Sequence, residues 1–203
     1  MHIDIHYLPS VEYCALIFDE PSIEFEVYEN FPKQTYRNRS YILGANGVEL
    51  LSIPIIQGDI GKQLTKDVQI DYSQDWMRRH RGAIQSAYGK APFFEHVEPF
   101  IDQIFAKKSK FLVDLNIHFL NTIARFLQKK PQFIFTDSFQ EMPSKSYWNV
   151  ISPKVNYNAR GIYNPVAYRQ CFGTTFVPNL SVLDLVMNYG IESREILQKS
   201  LNK

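Results

Sequence analysis

Apolar and polar positions alternate at the start of the chain. Ile3, Ile5 and Tyr7 interleave with His2, Asp4 and His6, which predicts a strand over 2–7. Leu8-Pro9 ends it, and Ser10 is placed to cap a helix to about Phe18, with Val11, Ala15 and Phe18 on one stripe. After the turn Asp19-Glu20-Pro21-Ser22, Ile23, Phe25 and Val27 alternate with Glu24, Glu26 and Tyr28, a second strand with one wet face. Strand, helix and strand in succession is the unit from which α/β sheets are built. Ser40–Leu43 and Val48–Ile56 read as two arms of a hairpin around Gly44-Ala45-Asn46-Gly47, because Asn-Gly favours the tight turn. Pro54 cannot donate to a ladder and marks an edge or bulge. A polar loop over 58–65 and a short strand at Val68, Ile70 and Tyr72 complete the first third.

The period then changes from two to helical. Ser73 opens a helix to about Tyr88, stopped at Gly89 and restarted at Pro92. Phe93, Val97, Ile101 and Phe105 share one face of the next helix, with Glu95 and Glu98 early and Lys107 and Lys108 late, as the helix dipole favours. Ser109 caps a third, with Leu112, Leu115, Phe119, Ile123 and Phe126 in line, ending before Lys129-Lys130-Pro131. Gln132–Thr136 is a short apolar run of the kind buried in a parallel sheet. From Asp137 to Thr174 prolines and glycines predict loop, yet seven aromatics there (Phe139 to Phe172) argue against disorder. Order returns with Thr175–Pro178 extended, Ser181-x-x-Asp184 as a capping box, a helix to Tyr189-Gly190 and a last helix over 195–201. The pattern predicts a single α/β domain: a largely parallel Rossmann-like sheet with a β-hairpin excursion and a helical middle segment.

Composition narrows the partners. The 203 residues carry 22 Lys+Arg against 21 Asp+Glu, a net charge of +1, which excludes a nucleic-acid groove or polybasic membrane face as the main surface. No secretory leader or membrane span is evident, and Cys14 and Cys171 form no C-x-x-C pair. This predicts a cytoplasmic protein with two buried thiols. The five histidines (2, 6, 80, 96, 118) have no ligand spacing, so no metal is expected, and nothing in the chain names a cofactor.

The chemistry-bearing stretch is Tyr36-Arg37-Asn38-Arg39. On an extended chain two arginines at i and i+2 point to one side, and each guanidinium grips a carboxylate or phosphate bidentately. A solvated edge strand explains the same spacing. Trp76 and His80 stack one helical turn apart beside Arg78, Arg79 and Arg81, an arrangement suited to a neutral base, or to a buried histidine satisfied by backbone. His6 ends the first strand, at the sheet edge where α/β proteins bind ligands. Asn116 and Asn188 are amides on apolar helices, and Tyr168-x-Gln170 is placed to close over a ligand. Asp184 is explained by the capping box alone.

Several segments, in order along the chain, resemble the WbqC-like protein family: His6-Tyr7-Leu8-Pro9, Tyr36-Arg37-Asn38-Arg39, Leu51-Ser52-Ile53-Pro54, Trp76-x-x-x-His80, Ser86-Ala87-Tyr88, Pro92-Phe93-Phe94, Leu115-Asn116, and Phe176-Val177-Pro178-Asn179-Leu180-Ser181-x-x-Asp184-Leu185. The final block, with Asn188 and Gly190, is the most specific. The resemblance implies one WbqC-like domain over 1–203. It also implies a role near O-antigen and other surface polysaccharides, where members of this bacterial family are suggested to transfer glycine or another acyl group to a sugar. Between Ser138 and Tyr168 the chain departs from longer members, with no second strand-helix unit. On this reading Arg37 and Arg39 bind an anionic small molecule, His80 or His6 is the catalytic base, and Tyr36, Asn38, Trp76, Asn116, Tyr168 and Gln170 orient the substrate. Asn179, Ser181, Asp184 and Asn188 serve structure or site. Two alternatives stand beside it: a non-catalytic module for small ligands, and a nucleotidylyltransferase-like enzyme. For the second, His6 and Met142-Pro143-Ser144-Lys145-Ser146 faintly resemble the phosphate-reading loops, without the glycine and second histidine.

Overall fold

The computed structural model describes residues 1–56, 62–139 and 145–202. Three parallel strands, β1 (His2–Ile3), β2 (Ser22–Phe25) and β5 (Gln132–Phe135), form a sheet in the order β1-β2-β5. His2 pairs with Glu24, and Ile23 with Phe133. Helix α1 (Val11–Ile17) makes the crossover from β1 to β2, and Ser10 caps it by accepting the Tyr13 amide at 3.3 Å. The expected α1 stripe is wrong in one respect: every residue of the helix is buried, Glu12 included. It packs against the C-terminal helices α5 (Val182–Tyr189) and α6 (Ser193–Ser200).

The first two strands are shorter than their alternation predicts. Past Phe25 the backbone amides turn to side chains, the Val27 amide donating to Thr136 Oγ1 and the Tyr28 amide to Glu26 Oε1, and past Ile3 the Tyr7 amide donates to the Tyr36 carbonyl instead of to β2. The third departs in burial. Edge strand β5 leaves Ile134 and Phe135 about two-fifths exposed, where a greasy run reads as an interior strand.

The hairpin forms as an antiparallel pair, β3 (Arg39–Gly44) and β4 (Gly47–Ser52), with Gly44 opposite Gly47. It ends at Ser52, two residues before Pro54 and short of the expected Ile56. The stretch around Val68–Tyr72 makes isolated bridges, Gln69 to Phe111 and Ile55 to Ile70, instead of a strand. The loop expected over 58–65 lies outside the described residues as far as 61. Helices α2 (Trp76–Tyr88), α3 (Phe94–Ala106) and α4 (Leu112–Phe126) match the helical period, although Asp75 and Phe111, not Ser73 and Ser109, sit at their first caps. The described part of 137–174 is irregular, apart from a single 3₁₀ turn at Tyr157–Ala159. Among the described residues no helix is long and apolar enough to cross a membrane.

Gly190 closes α5 at φ +52°, and a Cβ there lies 2.6–2.8 Å from the Phe93 ring. Gly190→Ala should therefore lose about 1–3 kcal/mol of stability, read as a lower urea midpoint at unchanged slope.

Candidate functional site at the carboxyl edge of the sheet

Because the three strands run parallel, their carboxyl ends share one edge. Asp4 and His6 leave β1 there, Glu26 and Glu29 follow β2, and Thr136 follows β5. All five are buried. Arg37 is the hub that makes this tolerable. Its Nε and Nη2 donate to the two Glu29 oxygens at 2.5 and 2.8 Å, its Nη1 sits 3.0 Å from Asp4 Oδ2, and Nη2 also donates to Asn149 Oδ1 at 2.9 Å. Glu29 accepts further bonds from Thr65 Oγ1 and the Trp148 indole, and Asp4 accepts the Asn149 amide at 2.9 Å. Burial pulls the Asp4 carboxyl upward, but Arg37 and His6 outweigh it and hold the group well below the usual carboxylate range. For Glu29 burial wins over the same arginine, and its pKa is raised.

Arg37 lies in a turn, not on an extended chain, so it points inward while Arg39 opens β3. The two forks expected side by side are thus separated in role: Arg37 is committed to Glu29, Asp4 and Asn149. The Arg39 Nε is buried and unpaired. Asn38 donates to the Ile53 carbonyl at 2.9 Å, and Asn116 to the Arg37 carbonyl at 2.8 Å, so both amides fix this turn.

His6 is the chemically poised group. Its Nε2 lies 2.7 Å from Asp4 Oδ2, its ring stacks on Tyr13 at 4.1 Å, and its Nδ1 has no partner. Burial lowers its pKa despite Asp4. An ionised Asp4 accepts the Nε2 proton, which leaves the Nδ1 lone pair free. The ring of Tyr36 stands 5.4 Å from His6 and also lines an open cleft of about 240 Å³ with Tyr41, Tyr157, Arg160 and Asn179. Burial pushes the Tyr36 hydroxyl up to about 12, so it stays a neutral donor. Behind the cleft, fully buried Glu12 takes Arg160 Nε at 2.8 Å and Nη2 at 2.5 Å, with Asn179 Nδ2 at 2.9 Å.

His80 is placed differently. It stacks edge-on to Trp76 as the spacing predicts, at 5.1 Å, and its Nδ1 bonds the Tyr7 hydroxyl at 2.9 Å. Burial drives its pKa down to about 4, with a Ser52 backbone bond opposing and Arg79 assisting. Among the described residues no hydrogen bond, ion pair or ring contact joins His80 to Arg37, Arg39 or His6. Asp184 also departs from its simple reading. Ser181 caps α5 through the Leu183 amide, but its own amide goes to the Tyr41 carbonyl. The Asp184 side chain instead accepts Tyr168 Oη at 2.8 Å and Gln170 Nε2 at 2.9 Å, and burial raises its pKa. Asn188 donates to the Asp184 carbonyl. Tyr168, Gln170, Asp184 and Asn188 thus form one cluster, apart from the His6 pair.

Sequence reasoning passes over Asp4, Glu12, Glu29, Trp148, Asn149 and Arg160. One signal was available: Asp4 and His6 at i and i+2 on a strand share a side. Of the lysine-loop segment, Met142–Ser144 lie outside the described residues, and Ser146 Oγ bonds His2 Nδ1 at 2.9 Å. Among the described residues no cluster of ligating side chains could hold a metal.

A family model described as the WbqC-like protein family matches residues 5–167 and 154–196. An uncharacterized protein of Mycobacterium tuberculosis (strain ATCC 25618 / H37Rv), Rv1507c, is 22% identical over 227 aligned residues, covering 97% of this chain and 96% of the relative. No solved structure matches.

Two predictions follow from the charges. Arg160→Met strands a buried Glu12 and should cost about 3–5 kcal/mol, whereas Arg81→Ala, which breaks the exposed pair with Asp102, should cost under about 1 kcal/mol; paired urea melts compare them. His80 binds its proton less readily folded than unfolded, so its contribution is complete above pH 6.5 and is lost as pH falls toward about 4. That is on the order of 3 kcal/mol, and His80→Gln should flatten the stability slope across this window.

Proposed function

Because the chain belongs to the WbqC-like protein family, we propose that it is a transferase whose base is His6, acting in the tyrosine-lined cleft. The observation that carries this reading is the single uncommitted nitrogen, Nδ1 of His6, on an imidazole whose other nitrogen is fixed by Asp4 at 2.7 Å. A carboxylate that orients one nitrogen and leaves the other bare is the arrangement general-base transfer uses. The sheet is then used as a Rossmann-like sheet, with substrate beyond the carboxyl ends of its strands.

The acceptor is a sugar hydroxyl or amine held among Tyr36, Tyr41 and Asn179, and the donor is an activated glycyl or other acyl group of surface-polysaccharide synthesis. His6 Nδ1 takes the proton from the acceptor as its heteroatom forms a bond to the acyl carbon. The leaving group departs with the bonding electron pair and receives that proton from His6. Asp4 is a positioning residue, and Arg37 keeps it ionised. Arg39 supplies the spare cation for an anionic substrate. His6 has no exposed surface, so Tyr36 is the side chain that must swing to admit the acceptor. Two unpaired cysteines accord with a cytoplasmic setting.

The second reading is a small-ligand module without turnover. It is favoured by the same enclosure of His6 and by the completeness of the Arg37 network. Mass spectrometry of sugar and nucleotide-sugar acceptors incubated with glycyl and acetyl thioesters separates the two. On the transferase reading His6→Gln lowers turnover by about 10²–10⁴-fold while ligand binding by calorimetry and the folded far-UV spectrum are kept. Saturable binding with no product from any donor, in wild type and variant alike, establishes the module instead.

A further inference from the structure

A second open cavity lies away from His6. It holds about 500 Å³ and is lined by Lys90, Pro92, Arg169, Gln170, Cys171, Asn188 and Tyr189. That volume falls in the range of small-molecule sites, roughly 300–1,000 Å³.

Hydrogen-bonding capacity around the cavity is one-sided. The Gln170 amide is committed at both ends, its Nε2 to the Val177 carbonyl and Asp184, its Oε1 to the Val177 amide. Asn188 is likewise engaged, donating to the Asp184 carbonyl and accepting from the Cys171 thiol at 3.5 Å. What remains uncommitted is donors. Lys90 and the Arg169 guanidinium have no hydrogen-bond or ion-pair partner among the described residues. Tyr189 Oη accepts the Arg169 amide at 3.0 Å and keeps its own proton to give. Among the described residues no carboxylate lines the cavity, and the Asp184 carboxyl that Gln170 meets is sealed from solvent.

We infer that this cavity binds a phosphoryl-bearing dianion, held by the Lys90 ammonium, the Arg169 guanidinium and the Tyr189 hydroxyl. Three donors of different kind suit a tetrahedral group with three acceptor oxygens better than a planar carboxylate with two. The volume exceeds a bare phosphate, so the group belongs to a phosphorylated small molecule. Both cations are solvent-exposed and joined to nothing, which keeps the ligand exchangeable and its affinity salt-sensitive.

The site stands independently of the His6 cleft, and its test uses binding alone. Isothermal titration of the intact protein with inorganic pyrophosphate at low salt should give saturable binding at one site. Lys90→Gln and Arg169→Gln should each weaken it at least about tenfold, near 1.4 kcal/mol, and Tyr189→Phe by less, with melting temperatures unchanged for the two exposed positions. Succinate, a dicarboxylate dianion, should bind at least tenfold more weakly. Amide shifts on titration should fall on residues 169–171 and 188–190. Absence of saturation, binding indifferent to both cation substitutions, or succinate binding as well as pyrophosphate each overturns the assignment.

Discussion

The fold depends on Arg37 entering the protein instead of facing water. Among the described residues five carboxylates are buried, Asp4, Glu12, Glu26, Glu29 and Asp184, and Arg37 by itself touches two of them. Removing an ion from water costs several kcal/mol, and attraction offsets this only where geometry is good and the remaining lone pairs are satisfied. Here they are: Glu29 takes the two-pronged grip plus Thr65 and Trp148, and Asp4 takes Arg37, His6 and the Asn149 amide. An apolar edge of the same volume could be as stable. It could not say which loop docks where.

That specification explains how a long irregular segment stays ordered. Residues after β5 have little backbone ladder to set against the entropy of fixing them, on the order of 1–2 kcal/mol per residue. They are tied instead by single side chains reaching buried acids: Ser146 to His2, which faces Glu26; Trp148 to Glu29; Asn149 to Asp4; Arg160 to Glu12; Tyr168 and Gln170 to Asp184. Each tie is a directed bond in a dry site, so each fixes register as well as position. The ties also build both concave features, because Arg160 lines the tyrosine cleft and Gln170 lines the larger cavity.

Local pattern made the helices, the hairpin and the parallel strands legible, since hydrophobic period and turn chemistry are properties of neighbouring residues. Three helices of the middle segment and the Asn-Gly turn appear where the spacing puts them. The site was half legible. His6, Tyr36 and Asn179 could be singled out, yet their partners are remote: Trp148 lies 119 residues from Glu29, and Arg160 lies 148 from Glu12. No periodicity reports a pairing of that range. A charged residue in an otherwise apolar helix, as Glu12 is in α1, was the available warning that a cation must arrive from elsewhere.

His6 and His80 are both buried, and what surrounds each ring differs. His80 is held between Trp76 and the Tyr7 hydroxyl, with burial dominating and no acid beside it, and its bond partner is itself a core phenol. Only the Ser52 backbone bond favours its protonated form, and burial outweighs it, so it suits a neutral packing role in which it steadies Tyr7, whose amide in turn bonds the Tyr36 carbonyl. His6 differs in having an ionised neighbour. Burial outweighs Asp4 and lowers the His6 pKa, yet Asp4 favours the protonated ring, and on the proposed reading it steadies the imidazolium formed in each cycle. Because Arg37 holds Asp4 ionised, the guanidinium that stabilises the loop contacts also acts on the basicity of His6, so stability at this edge and the chemistry proposed for it rest on the same side chain.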